Sequence, residues 1–259
     1  MVVRATAAFI VFSISAIALT WDISTVVHAR EDAMLTFAPS AERAYEYGNR
    51  HFSALTEIDY DVARAKELYF VAARINPDHP GLQHQLARID FLEGNYVRGL
   101  KRINREIRTH GDENPNALYV KALLLGFNGQ YGKAAAVYEK YFSMTPANWG
   151  AINDYSWVLL KAGKPDAALE ALEWGLAQWP KSPWLLHNKA IALYELGRYE
   201  EAADAAHSAA RGITALTEHD WLMAYPGNDP MLAPQGLHSF RNAVLGNQVK
   251  IIERLASED

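Results

Sequence analysis

Nine histidines are the first residues that could hold a metal or move a proton. Zinc needs three or four ligands on one surface, as His-x3-His or His-Glu-x-x-His supplies from a helix. Neither spacing occurs, and His79 and His84 lie five residues apart across Pro80 with no carboxylate cluster beside them. Glu218-His219-Asp220, next to Trp221, places an imidazole between two carboxylates, the components of general acid–base chemistry. Consecutive residues on a helix point apart, so the triplet reads first as a solvated turn. The absence of cysteine removes disulfides, redox pairs, thiolate nucleophiles and Cys-ligated zinc together. There is no nucleophile elbow, phosphate loop or dinucleotide fingerprint. No catalytic residue, metal or cofactor is therefore expected, and an enzymatic reading rests on His219 and Asp220 alone.

Charge offers a second kind of chemistry. Arg98, Lys101, Arg102, Arg105 and Arg108 recur at helical spacing, with Glu106 the acid among them. Such a stripe on an outer helix face suits lipid headgroups or an acidic partner; a plain solvated face is the blander alternative. Residues 61–111 hold nine bases and six acids, whereas residues 163–259 hold eight bases and 13 acids, so the chain is polarised. A net charge of −5 over the whole chain argues against nucleic acid as a partner.

The elements that must carry these residues begin with a targeting segment. Arg4 is the only charge before Asp22, and the 17 residues Ala5 to Trp21 are uncharged. That is the layout of a secretory signal or signal-anchor over residues 1–29, with 30–40 as linker. Val27-His28-Ala29 presents small residues for cleavage before Arg30; uncut, residues 5–21 would form an N-terminal hydrophobic helix in the membrane. Both alternatives put the rest of the chain in an extracytoplasmic, periplasmic or cell-envelope location.

The remainder is organised by a period. Gly94, Gly129, Gly163 and Gly197 are spaced 35, 34 and 34 residues apart, and Pro77, Gly111, Pro146 and Pro180 keep the same step. Small residues follow suit at Ala65, Gly99, Ala134, Ala168 and Ala202. In one unit, Leu118, Ala122 and Leu125 share a helical face, Gly129 ends that helix, and Ala134, Tyr138 and Tyr141 share the next face. One hairpin cannot bury its apolar face alone, whereas stacked neighbours can.

On these residues the chain resembles tetratricopeptide repeat proteins over about Ala41 to Thr214. The fifth repeat matches well, with Leu186, Ala190, Leu193, Gly197, Tyr199, Ala202, Ala206 and Ala209. The second departs most, with Asp90 at the usual aromatic position and Gly99 and Glu106 in place of alanines. The fourth has Pro165 for the turn tyrosine and Gly175 for the second alanine. The resemblance implies an all-α α-solenoid of about five helix hairpins over 41–214, with a C-terminal helical cap over 215–259. It further implies that the first helix of each repeat lines a concave groove. Carried over by register, the groove residues are Tyr45, Asn49, Phe52, His84, Arg88, Tyr119, Leu123, Asn153, Trp157, Trp184 and His187. Aromatic rings with Asn, His and Arg between them suit an extended peptide or helix of a protein partner. The expected function is thus an exported or anchored interaction scaffold in a cell-envelope assembly. An accessory or enzyme of envelope polysaccharide chemistry and a self-associating homo-oligomer are the alternatives. The turn-rich loop from Tyr225 to Gln235 is apolar enough to occupy the groove instead of capping it.

Overall fold

A computed structural model describes residues 23–53, 60–111, 114–225 and 228–257. The export and membrane-helix expectations for residues 1–22 lie outside the described residues. Among those described, no helix is long and apolar enough to cross a membrane. They form thirteen α-helices and one 3-10 turn, divided between two compact units, residues 1–52 with 56–79 and residues 53–55 with 80–259.

In the first unit, α1 (Ile23–Phe37) precedes a hairpin of α2 (Ala41–His51) and α3 (Val62–Ile75). Ser40 and Asp61 start the hairpin helices, each side chain accepting a backbone N–H three residues on. Tyr69 is buried against Gly48, where a Cβ would lie 2.6 Å from the ring. Residues 30–37, expected as linker, are the second half of α1, and Val27-His28-Ala29 lies inside the same helix. Glu31 explains why this helix docks. Its carboxylate is buried and faces His51 Nε2 at 3.1 Å, Arg64 at 3.3 Å and Arg50 at 3.5 Å. A buried carboxylate without such partners would cost several kcal/mol.

The second unit stacks four hairpins: α4 (Leu82–Leu92) with α5 (Tyr96–His110), α6 (Pro115–Phe127) with α7 (Tyr131–Met144), α8 (Trp149–Lys161) with α9 (Pro165–Gln178), and α10 (Pro183–Glu195) with α11 (Tyr199–Ala215). Each hairpin turns on one device. After α6, Gly129 has φ 75°, its N–H bonds the carbonyl of Gly126, and the Gln130 N–H reaches back to Leu125. Nothing approaches its Cβ position, so the glycine is there for its dihedral, not for space. Leu118, Ala122, Leu125, Ala134, Tyr138 and Tyr141 are all buried, as their spacing predicts.

The second repeat is not poorly packed but differently packed. Buried Asp90 is met by Arg98 Nε at 2.6 Å and Arg102 Nε at 2.9 Å. Buried Glu106 accepts from the Gly81 and Gln83 N–H groups at 2.7 and 3.1 Å, supplying from α5 the N-terminal cap that α4 lacks in its own sequence. A Cβ on Gly99 would meet Leu124 at 2.7 Å, and one on Gly175 would meet Ile152 at 3.0 Å.

Beyond the hairpins come α12 (Glu218–Ala224), the 3-10 turn Pro230–Leu232 and α13 (Ala233–Leu255), which packs along α11 and touches α10 and α12. Leu237 and Val244 of α13 bury against Ala209, Ala210 and Ile213. In the loop expected to occupy the groove, Met231 and Leu232 are exposed, whereas Tyr225, at its start, is largely buried beside Asp154 of α8 and Trp184 of α10. On the outer side of α13, Leu245, Val249 and Ile252 stand exposed among Asn242, Lys250 and Glu253.

Candidate functional site

Within the second unit, the first helices of successive hairpins, α4, α6, α8 and α10, touch one another as well as their own partners. Their starts are fixed alike: Asn114, Asn148 and Ser182 cap α6, α8 and α10, and Pro115 and Pro183 occupy the first turn of α6 and α10. Equal starts bring the 34-residue period into spatial register. His84, Tyr119, Asn153 and His187 thereby occupy equivalent positions, as do Arg88, Leu123, Trp157 and Ile191 one turn on.

Polar atoms join these helices. Tyr119 donates its hydroxyl to Asp154 Oδ2 at 2.5 Å, and Asn153 Nδ2 donates to Asp154 Oδ1 at 3.2 Å. Asn188 Nδ2 donates to the backbone and side-chain oxygens of Asn153, at 3.2 and 3.1 Å. One hydrogen-bonded line thus runs from α6 through α8 to α10. Burial pushes the Asp154 carboxyl up to about 6, held from going further by Tyr119 and Asn153. Burial, then the Asp154 charge, raises Tyr119 well above the usual phenol range. His187 is brought down to about 4 by burial, and His84 to about 4 by burial and by Arg88. Both imidazoles are therefore neutral near pH 7. Asp154 is the residue that register transfer missed, since it lies one position beyond the column occupied by Asn153.

Beside this line runs a set of rings. Phe91 meets Phe127 edge-on at 4.9 Å between centroids, and Phe127 lies 5.0 Å from Trp157, with Phe127 itself exposed. Trp184 is different: it is buried between Trp149 at 4.6 Å and Phe240 at 5.7 Å, so α13 covers it. Phe240 and Asn247 cover His187 as well. In the first unit, Tyr45 packs on Tyr69 and His79, Asn49 accepts the Tyr69 hydroxyl at 2.8 Å, and Phe52 is buried near Tyr60. Of the expected groove positions, Phe52 and Trp184 are buried and the others are half-buried, Leu123, Asn153 and Trp157 among them, while Arg88 holds Gln85 at 2.8 Å.

The basic stripe is divided in the same way. Arg98 and Arg102 turn onto Asp90, Arg105 is half-buried, and Lys101 and Arg108 remain exposed. Asp220 is engaged too: it accepts the Thr217 N–H and hydroxyl at 2.8 and 2.7 Å in a capping box, and those bonds hold its carboxyl below the usual range. Among the described residues, no group of three His, Asp or Glu side chains is placed to hold a metal ion.

Comparison with known proteins fits this architecture. Residues 115–148 and 156–215 match tetratricopeptide-repeat models. No curated relative matches the sequence. Among solved structures, a mutant of MamA superposes with a TM-score of 0.54 at 17% identity, covering 66% of this chain and 96% of its own. TTC0263, a repeat protein of Thermus thermophilus, gives 0.52 at 16% identity over 80% and 99%. A tetratricopeptide repeat protein from Parabacteroides merdae gives 0.55 at 18% over 88% and 80%. Likeness at such identities is a likeness of fold. The hairpins from α6 to α7 and from within α8 to the end of α11 are accordingly tetratricopeptide repeats by both sequence and shape.

Proposed function

We propose that this chain is a non-enzymatic scaffold that holds an extended segment of a protein partner along the first-helix face of α4 to α8. The observation that carries this is the pairing of a ring ladder, Phe91–Phe127–Trp157, with a hydrogen-bonded polar line, Tyr119–Asp154–Asn153. Rings supply apolar contact area and fixed polar groups meet a peptide backbone, the division of labour found at peptide grooves. Aromatic residues also dominate interface energies. The α10 end of this face is covered by α13, and Tyr225 lies over the Asp154 end of the polar line, which leaves the stretch from Phe91 to Trp157 for a partner. The targeting pattern of residues 4–21 supports export, so the partner belongs to a cell-envelope assembly.

Site-specific photo-crosslinking in cells tests the face directly. A crosslinker at Leu123 or Phe127 should capture a discrete protein that one at Lys133, exposed on second helix α7, does not. Trp157→Ala should reduce that capture. Equal capture from Lys133, or none from Leu123 and Phe127, overturns the groove.

A further inference from the structure

The first and last described helices each expose an apolar stripe with no partner. On α1, Glu31 and His28 face α2 and α3, and an exposed stripe of Val26, Arg30, Met34 and Phe37, at steps of four, four and three, runs across the side turned away from them. Phe37 is 87% exposed, far beyond what a folded chain leaves open for a ring that has packing to find. On α13, Leu237, Val244 and Ile251 face inward, Leu245 and Ile252 are exposed on its flank, and Val249 and Glu253 are exposed on the opposite side. A solenoid ordinarily ends in helices whose outer faces are polar, because an apolar end face is where the next hairpin would stack.

The two stripes complement each other. Arg30 sits in the middle of the first and Glu253 beside the second, both exposed, and neither has an ion-pair partner among the described residues. Consecutive helices in such a stack run antiparallel. Pairing Arg30 with Glu253 in that sense sets Met34 opposite Val249 and Phe37 beside Leu245 and Gly246. Gly246 has nothing near its Cβ position, which leaves a hollow in the α13 surface where a ring can seat. Val26 to Phe37 and Leu245 to Ala256 each span about 16 Å at 1.5 Å per residue, so the stripes also agree in length.

We infer that the occupant of the α13 outer face is α1 of a second copy of this chain, in a heterologous interface that repeats from copy to copy. Such an interface makes rings or open chains, not two-fold dimers. It uses surfaces distinct from the first-helix face and stands whether or not that face binds a peptide.

The chain has no cysteine, so single introduced cysteines report contacts without background. Full-length protein carrying Met34→Cys is mixed with full-length protein carrying Val249→Cys, and mild oxidation is followed on a non-reducing gel. The mixture should give a disulfide dimer, and each variant alone should not. Adding Glu253→Arg to the Val249→Cys copy should abolish the band, and adding Arg30→Glu to the other copy should restore it. A dimer from Val249→Cys alone would mean two-fold pairing of α13 and would overturn the head-to-tail contact. No band from the mixture, as expected if Phe37 and Met34 lie instead against lipid, overturns it too. Both cysteines sit on exposed positions, and unchanged circular dichroism separates lost contact from lost fold.

Discussion

Asp154 and His187 sit on neighbouring helices and are perturbed in opposite senses, which gives the protein a particular response to acid. His187 titrates at about 4 in the folded chain, against 6.5 when unfolded, so the unfolded chain binds the extra proton as pH falls. Its contribution is intact above 6.5 and is lost as pH drops through the window to 4. His84, also at about 4, acts in the same direction. Asp154, raised to about 6 from 3.8, does the reverse: the folded chain takes up the proton first, so this group adds stability as pH falls from 6 towards 3.8. The two histidines outweigh the one carboxyl, and net acid destabilisation follows. Urea midpoints measured between pH 7 and 4 should therefore fall less steeply for His187→Asn than for the parent. Asp154→Asn should be more stable than the parent above pH 6, with the gap closing towards pH 4 as the parent's carboxyl protonates. A gap independent of pH would show that Asp154 is not the buried carboxylate described.

At the scale of elements, three glycines that look alike in the sequence do three different things. Gly129 ends α6 at φ 75° with open space around it, so Gly129→Ala should cost about 1–2 kcal/mol through backbone strain alone. Gly99 has helical dihedrals, but its Cβ would stand 2.7 Å from Leu124, and Gly99→Ala should cost about 1–3 kcal/mol through overpacking. Gly132 lies in α7 with nothing within reach, so Gly132→Ala should stabilise by roughly 0.5–1 kcal/mol. Denaturant midpoints of the three variants check the order, and a destabilised Gly132→Ala would sink the scheme. The same comparison shows what the sequence could reveal. A hairpin glycine recurs because its bond pattern is local, so the periods of Gly94, Gly129, Gly163 and Gly197 mark the turns without any structure. Local signals stop there. Glu31 is held by residues 19 to 33 positions away, and α1 therefore reads as linker until Arg50, His51 and Arg64 are seen around it. Arg98 and Arg102 look like half of a basic surface, because only folding shows that Asp90 and Glu93 pair with them. Asp154 is one acid among 30, and the Tyr119 hydroxyl that bonds it comes from 35 residues earlier.

For the molecule as a whole, a stack of hairpins is stabilised through neighbours, so its stability is distributed unevenly along the chain. In the second unit the last hairpin depends on α13 in a way the earlier ones do not. Leu237 and Val244 complete the burial of Ala209, Ala210 and Ile213 on α11, and Phe240 closes over Trp184 and His187 on α10. Arg241 adds a polar tie by donating to the Ile213 carbonyl at 3.3 Å and to the Leu216 carbonyl. Leu118, Tyr141 and Ala151, by contrast, form a core between α6, α7 and α8 to which α13 adds nothing. A chain ending at Ala224 should then lose protection in a graded fashion. Amide exchange in α10 and α11 should accelerate by orders of magnitude, α8 and α9 should respond less, and α6 and α7 should keep nearly their full protection. The same truncation should not reduce photo-crosslinking from Leu123, because the first-helix face there is built from the protected hairpins and the truncation removes only Tyr225 from beside it. A uniform loss of protection from α4 to α11 would mean that the second unit unfolds as one cooperative block, and the dependence of each hairpin on its neighbours would have to be redrawn.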